Sequence, residues 1–122
     1  MESYNELNGV PLASSRKFLV DVLRGRMGFL GMLVTDYAEI VNLEGHHKVS
    51  AGPEESVFMA MEDTSIDMSM VPLDATFAEI LLGLVHAGQV SENRIERSVR
   101  RVLALKVRRR LTVCVCGGGI WG

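Results

Sequence analysis

Ten residues constrain this chain more than any others: Gly28-Phe29-Leu30-Gly31-Met32-Leu33-Val34-Thr35-Asp36-Tyr37. A glycine-punctuated turn feeds an apolar run, and the run stops at a carboxylate followed by an aromatic ring. Met32 to Thr35 are four consecutive apolar or β-branched positions, the pattern of a strand covered on both faces, and such strands belong to parallel sheets in α/β folds. Asp36 then falls at the strand's C-terminal end, where α/β barrels carry their chemistry. Taken alone, an aspartate in that place reads first as a cap for the next segment or as a partner for a nearby backbone N–H.

The rest of the chain supplies alternating strand and helix signals. Met1 to Asn5 reads as a short strand, and Asn8-Gly9 with Pro11 as a turn. Ser14 or Ser15 is a candidate N-cap for a helix in which Phe18, Leu19, Val22 and Leu23 share a face up to Gly25. Residues 38–52 read as a long connecting segment containing His46-His47. Pro53, with Glu54 and Glu55 at the positive end of the dipole, starts a helix whose apolar face is Val57, Phe58 and Met61. Ile66 to Val71 alternates as a strand stopped by Pro72. Asp74 is placed to cap a helix with Phe77, Ile80, Leu81, Leu84 and Val85 on one face and Gly88 as its terminator. Ser91 caps the next, where Ile95, Val99, Val102 and Leu103 are expected inward and Arg94, Arg97, Arg100, Arg101 and Lys106 largely outward.

Composition narrows the function classes. The 122 residues fit one small domain, and no apolar run approaches the roughly 18 residues that span a bilayer. Glu2 and Glu6 stand where a signal peptide would carry basic and then apolar residues, so no export signal is read. Cys114 and Cys116 are too close for a disulfide framework or a four-ligand zinc site. Charge is polarised: residues 1–93 hold 5 Lys/Arg and 14 Asp/Glu, residues 94–122 hold 8 and 1. Such a basic run can bind nucleic acid, but here it fits a solvated helix face, and no nucleic-acid or membrane partner is expected. Adjacent histidines point in different directions and have no third ligand in register, so no metal is expected at His46-His47.

Three motifs in order, Met1-x-Ser3-Tyr4-Asn5 with Asn8-Gly9-Val10-Pro11, then Gly28-Phe29-x-Gly31-x-x-Val34-Thr35-Asp36-Tyr37, then Ile66-Asp67-Met68-Ser69-Met70, resemble the later part of the catalytic barrel of glycoside hydrolase family 3, which contains β-glucosidases and β-xylosidases. The resemblance runs from Met1 to about Leu111. It implies an α/β fold, a partial TIM (β/α)8 barrel of about the last three strand–helix units, with 1–111 as a partial N-terminal barrel domain and 112–122 as an unassigned tail. It implies Asp36 as the catalytic nucleophile of a retaining O-glycosyl hydrolase, Met1, Tyr4 and Tyr37 as substrate-binding residues, a β-linked glucoside or oligosaccharide as substrate, no cofactor, and a secreted or extracellular parent enzyme.

Retaining glycosidases use two carboxyl groups about 5–5.5 Å apart. In the family the acid/base comes from a loop beyond the barrel, and nothing here matches it; Glu39 and Asp67 are the nearest spare carboxylates. The earlier strands, which in the family supply further sugar-binding residues, are also missing. The chain alone is therefore expected to be inactive, a fragment needing the missing barrel half and second domain. The alternative is an inactive remnant or an interaction module with a basic surface helix.

Overall fold

The computed structural model describes residues 1–71, 74–109 and 111. The expected stop at Pro72 and the tail 112–122 lie outside the described residues. A hairpin, β1 (Glu6–Leu7) with β2 (Val10–Pro11), precedes a 3-10 turn (Leu12–Ser14) and a helix wound in the wider π form (Lys17–Arg26). Then come β3 (Val34–Tyr37), α1 (Glu39–Gly45), α2 (Pro53–Phe58), which continues as the π-wound segment Met59–Asp63, β4 (Met68–Met70), α3 (Thr76–His86) and α4 (Glu92–Arg108). The fold is α/β: β3 and β4 pair in parallel, and the helices between them supply the crossover.

Local chemistry explains most of these elements. Asn8 (φ 56°) and Gly9 (φ 77°) both adopt left-handed backbone, the requirement of a two-residue hairpin turn. Gly28 takes φ 64° at the turn before β3. Gly31 is glycine for a different reason: a Cβ there would stand 2.6 Å from Cζ of Phe29. Arg24 lies over that ring, 5.1 Å from its centroid, and donates Nη1 hydrogen bonds to the carbonyls of Phe29 (2.8 Å) and Gly31 (2.6 Å). The loop is thus held by its own aromatic and one guanidinium. Pro53 opens α2 as expected, and Ser91 caps α4, its Oγ accepting from the Arg94 N–H at 3.2 Å.

Several sequence expectations are corrected. Residues 1–5 form no regular strand; a single backbone–backbone bond, Glu2 N–H to Val34 C=O at 3.1 Å, joins them to β3, beside side-chain bonds from Glu2 and Tyr4. The strand expected over 32–35 sits two residues later, and α1 occupies part of the expected connecting segment. Ser14 and Ser15 do not cap the Lys17–Arg26 helix; the Ser14 hydroxyl donates to the Pro11 carbonyl. On α4 the faces differ from the sequence reading. Val99 and Leu103 are half exposed, while Arg94 is buried. Its guanidinium donates to the carbonyls of Met61 (2.6 Å), Thr64 (3.2 Å) and Ile66 (2.6 Å) and to Ser98 Oγ (2.5 Å). Carbonyls at the end of the Met59–Asp63 segment and before β4 need donors, and Arg94 supplies them across a helix–sheet junction.

Asp67, expected as a spare carboxylate, is fully committed. Its side chain is inaccessible to solvent. Oδ2 accepts from Arg24 Nη2 (2.9 Å) and the Leu33 N–H (2.9 Å); Oδ1 accepts from Ser98 Oγ (2.8 Å) and Arg101 Nη1 (2.9 Å). One carboxylate therefore joins the Lys17–Arg26 helix, the approach to β3 and α4. The apolar core beside it is small: Leu19, Leu33, Ile40, Leu43, Val57, Met61, Ile66, Leu84 and Val90 are its main buried members. Meanwhile Met27, Leu30, Val41 and Val107 each remain more than 60% exposed.

Candidate active site

The C-terminal ends of β3 and β4 build the site. Opposite residues are Val34 with Met68 and Tyr37 with Met70, so three steps on β3 face two on β4 and the ladder carries an irregularity between Val34 and Tyr37. Thr35, fully buried, fills it: its Oγ1 accepts the Met70 N–H (2.9 Å) and donates to the Asp36 carbonyl (2.8 Å). Bulges of this kind re-aim the next side chain, and the next side chain is Asp36. The threonine of the Thr-Asp pair thus has a structural task, replacing a ladder carbonyl with a hydroxyl. After Tyr37 the chain breaks direction at Ala38, a non-glycine residue at φ 56°, and enters α1; such strain costs on the order of 1 kcal/mol and concentrates at functional sites.

Asp36 is half buried. Its Oδ1 accepts the Tyr37 N–H at 2.7 Å, while Oδ2 takes no hydrogen bond from the described residues. Its own N–H donates to Glu2 Oε1 at 2.9 Å. Tyr4 and Tyr37, both about half exposed, are brought together: the Tyr4 hydroxyl donates to the Tyr37 carbonyl rather than to the Asp36 carboxylate. Met1 is exposed at 73%. Tyr4 holds its proton more tightly than an ordinary phenol, first through desolvation and then through the negative charges of Asp36, Glu39 and Glu2.

Two participants escaped the sequence reading. Glu2 belongs to no catalytic motif in the sequence, yet it is 5% exposed, and its Oε2 is buried without a partner among the described residues. Burial raises its carboxyl from 4.5 to about 7, against the lowering effect of the Asp36 N–H, with the charges of Glu39 and Asp36 adding to the rise. Its acidity in a position flanked by Met1 and Ser3 was the only available signal. His47, considered as a metal ligand, has both ring nitrogens occupied: Nδ1 on Glu6 Oε1 (2.6 Å) and Nε2 on Glu39 Oε1 (2.9 Å). Burial disfavours the imidazolium, but the two carboxylate bonds outweigh it and raise the pKa above the ordinary 6.5. Glu39, fully buried, also accepts from Asn42 Nδ2 (3.0 Å). The clamp Glu6–His47–Glu39 joins the hairpin after Tyr4 to the helix after Tyr37, holding the two halves of the site in register. No group of three or more metal-ligating side chains occurs among the described residues.

Residues 1–105 match the model of the glycosyl hydrolase family 3 N-terminal domain. The chain belongs to glycosyl hydrolase family 3. It is 47% identical over 106 residues to the lysosomal β-glucosidase of Dictyostelium discoideum and 37% identical over 106 residues to the periplasmic β-glucosidase of Salmonella typhimurium. Each alignment takes in 87% of this chain and 13% of the relative. Among solved structures, the β-glucosidase of Listeria innocua in complex with glucose superposes with a TM-score of 0.78 at 30% identity, over 86% of this chain and 14% of that one. This family 3 chain thus spans about one eighth of the length of the curated relatives it matches.

Proposed function

We propose that this chain is the nucleophile-bearing part of a retaining, β-glucosidase-like O-glycosyl hydrolase that acts on terminal β-linked sugars, and that it forms the last three strand–helix units of a TIM barrel over residues 1–111. The observation that carries the reading is the setting of Asp36: it ends a parallel strand, is aimed by a ladder irregularity, and has one carboxylate oxygen held on a backbone N–H and the other uncommitted. An ionised carboxylate fixed in this way attacks an anomeric carbon, giving a covalent glycosyl-enzyme that water then hydrolyses. Tyr4 and Tyr37 offer ring faces and a hydroxyl for the sugar, and Met1 adds apolar surface at the rim.

Neither Glu39 nor Asp67 can act as the second carboxyl group, since each is fully buried within its own hydrogen-bond cluster. The acid/base belongs to a segment outside this chain. The large apolar side chains left exposed fit a barrel wall whose neighbouring units are elsewhere. The chain alone is expected to hydrolyse p-nitrophenyl β-glucoside no faster than its Asp36→Ala variant. In an enzyme completed with the remaining barrel strands and second domain, Asp36→Asn should reduce turnover by several orders of magnitude with the fold unchanged, and a 2-deoxy-2-fluoro glucoside should label the peptide containing Asp36. Label on Glu2, Glu39 or Asp67 would overturn the assignment.

A further inference from the structure

The two strands run parallel, so Asp36 near the end of β3 and Asp67 just before β4 mark opposite ends of the sheet. At the Asp67 end, the Lys17–Arg26 helix, the turn into β4 and α4 border an open polar cleft of about 270 Å³. Five guanidiniums line it, those of Arg16, Arg24, Arg94, Arg97 and Arg101, against one lining carboxylate, Glu62. Asp67 stands behind the wall as the second negative charge.

These arginines do two different things. Arg24 spends all five of its N–H donors on Ser65, Phe29, Gly31 and Asp67, and Arg94 makes four bonds to carbonyls and Ser98. Both are fixed, and burial destabilises the charge on each. Among the described residues Arg101 uses only Nη1, on Asp67, and keeps its other donors. Arg16 and Arg97 have no carboxylate partner among the described residues, in contrast to Arg100, which pairs with Glu96 on the outer face of α4. A polar cleft with two immobile cations in its wall and three cations with spare donors focuses positive potential on its interior.

We propose that this cleft binds a tetrahedral oxyanion, phosphate or a phosphomonoester group, with Arg97, Arg101 and Arg16 as its donors. Guanidinium forks match phosphate oxygens in pairs, and the pre-ordered wall lowers the entropy lost on binding. The cleft is small, and Arg16 and Arg97 stand exposed at its mouth, which fits an anion of phosphate size; a nucleic-acid strand would need a continuous basic stripe. The site lies at the end of the sheet away from Asp36, and the proposal does not depend on glycosidase activity.

The test titrates the full chain with inorganic phosphate and separately with glycerol phosphate, by calorimetry and amide NMR at constant ionic strength held with chloride. A dissociation constant of about 1 mM or tighter is expected, with shifts confined to the start of the Lys17–Arg26 helix, the turn at 64–65 and residues 94–101 of α4. The double substitution Arg16→Gln, Arg97→Gln should weaken binding at least about tenfold. Glu62→Gln should tighten it severalfold, a gain that misfolding cannot produce. Tighter binding of glycerol phosphate than of phosphate would identify a phosphomonoester as the ligand; equal binding would identify the free ion. No saturable shift, shifts along the outer face of α4 that survive the double substitution, or binding of single-stranded DNA without phosphate binding would each overturn the proposal.

Discussion

Replacing Glu2 with glutamine should make the chain's stability less dependent on pH, and the structure gives the size of the effect. Glu2 is buried beside Asp36 and Glu39, and its carboxyl is raised from 4.5 to about 7. A carboxyl whose folded pKa lies above its unfolded value contributes stability that is complete below pH 4.5 and is lost as pH rises through about 7, because only the folded state resists ionisation. At about 1.4 kcal/mol per pH unit, the whole loss is about 3 kcal/mol. Glutamine keeps the volume and can still accept the Asp36 N–H, but it cannot ionise. Urea unfolding of both proteins from pH 4 to pH 8 should therefore show similar stability at pH 4 and an advantage of about 3 kcal/mol for Glu2→Gln at pH 8. With a urea slope of about 1–3 kcal/mol/M, that is a midpoint difference of roughly 1–3 M. His47, whose pKa is raised above 6.5, also makes stability depend on pH, but it is common to both proteins and cancels in the difference. A difference that stays constant with pH, or a Glu2 side-chain carbon that titrates near 4.5 by NMR, would refute the reasoning.

Asp67→Ala removes the partner of Arg24 and Arg101 and the acceptor of the Leu33 N–H. A loss of about 3–5 kcal/mol is expected, measured by chemical denaturation, and Asp67→Asn, which keeps some of the hydrogen bonds, should lose less. The His47 clamp contributes stability that is complete below pH 6.5 and is lost as pH rises through its higher folded pKa. His47→Gln should abolish that component, about 1.5–3 kcal/mol for a charge-assisted bond, and histidine-ring NMR of the unmutated chain should show His47 titrating above 6.5. At Gly31, alanine would meet the Phe29 ring, so Gly31→Ala should shift the thermal midpoint downward, with Phe29→Leu in the same chain restoring much of it.

Some of the protein is written in local sequence. Asn8-Gly9 determines its hairpin because few other residue pairs adopt left-handed backbone at both turn positions, and Pro53 and Ser91 mark helix starts because missing or unsatisfied N–H groups are a property of the chain itself. The same holds for the α/β alternation and for a carboxylate at the end of β3. The faces of α4 are different. An arginine at helical spacing looks solvent-directed whatever stands opposite it, and only the unpaired carbonyls of Met61, Thr64 and Ile66, about 30 residues distant in sequence, draw Arg94 inside. Asp67 resembled a spare acid until the approach to β3 brought the Leu33 N–H and Arg24 to one oxygen and α4 brought Ser98 and Arg101 to the other. His47 reads as half of a metal-like pair, yet Glu6 and Glu39 reach it from two separate elements. Glu2 offers in sequence only its acidity, because burial, which makes its carboxyl unusual, is created by packing against β3. Backbone preference is local, whereas desolvation and charge pairing depend on which distant residues the fold places within hydrogen-bond reach.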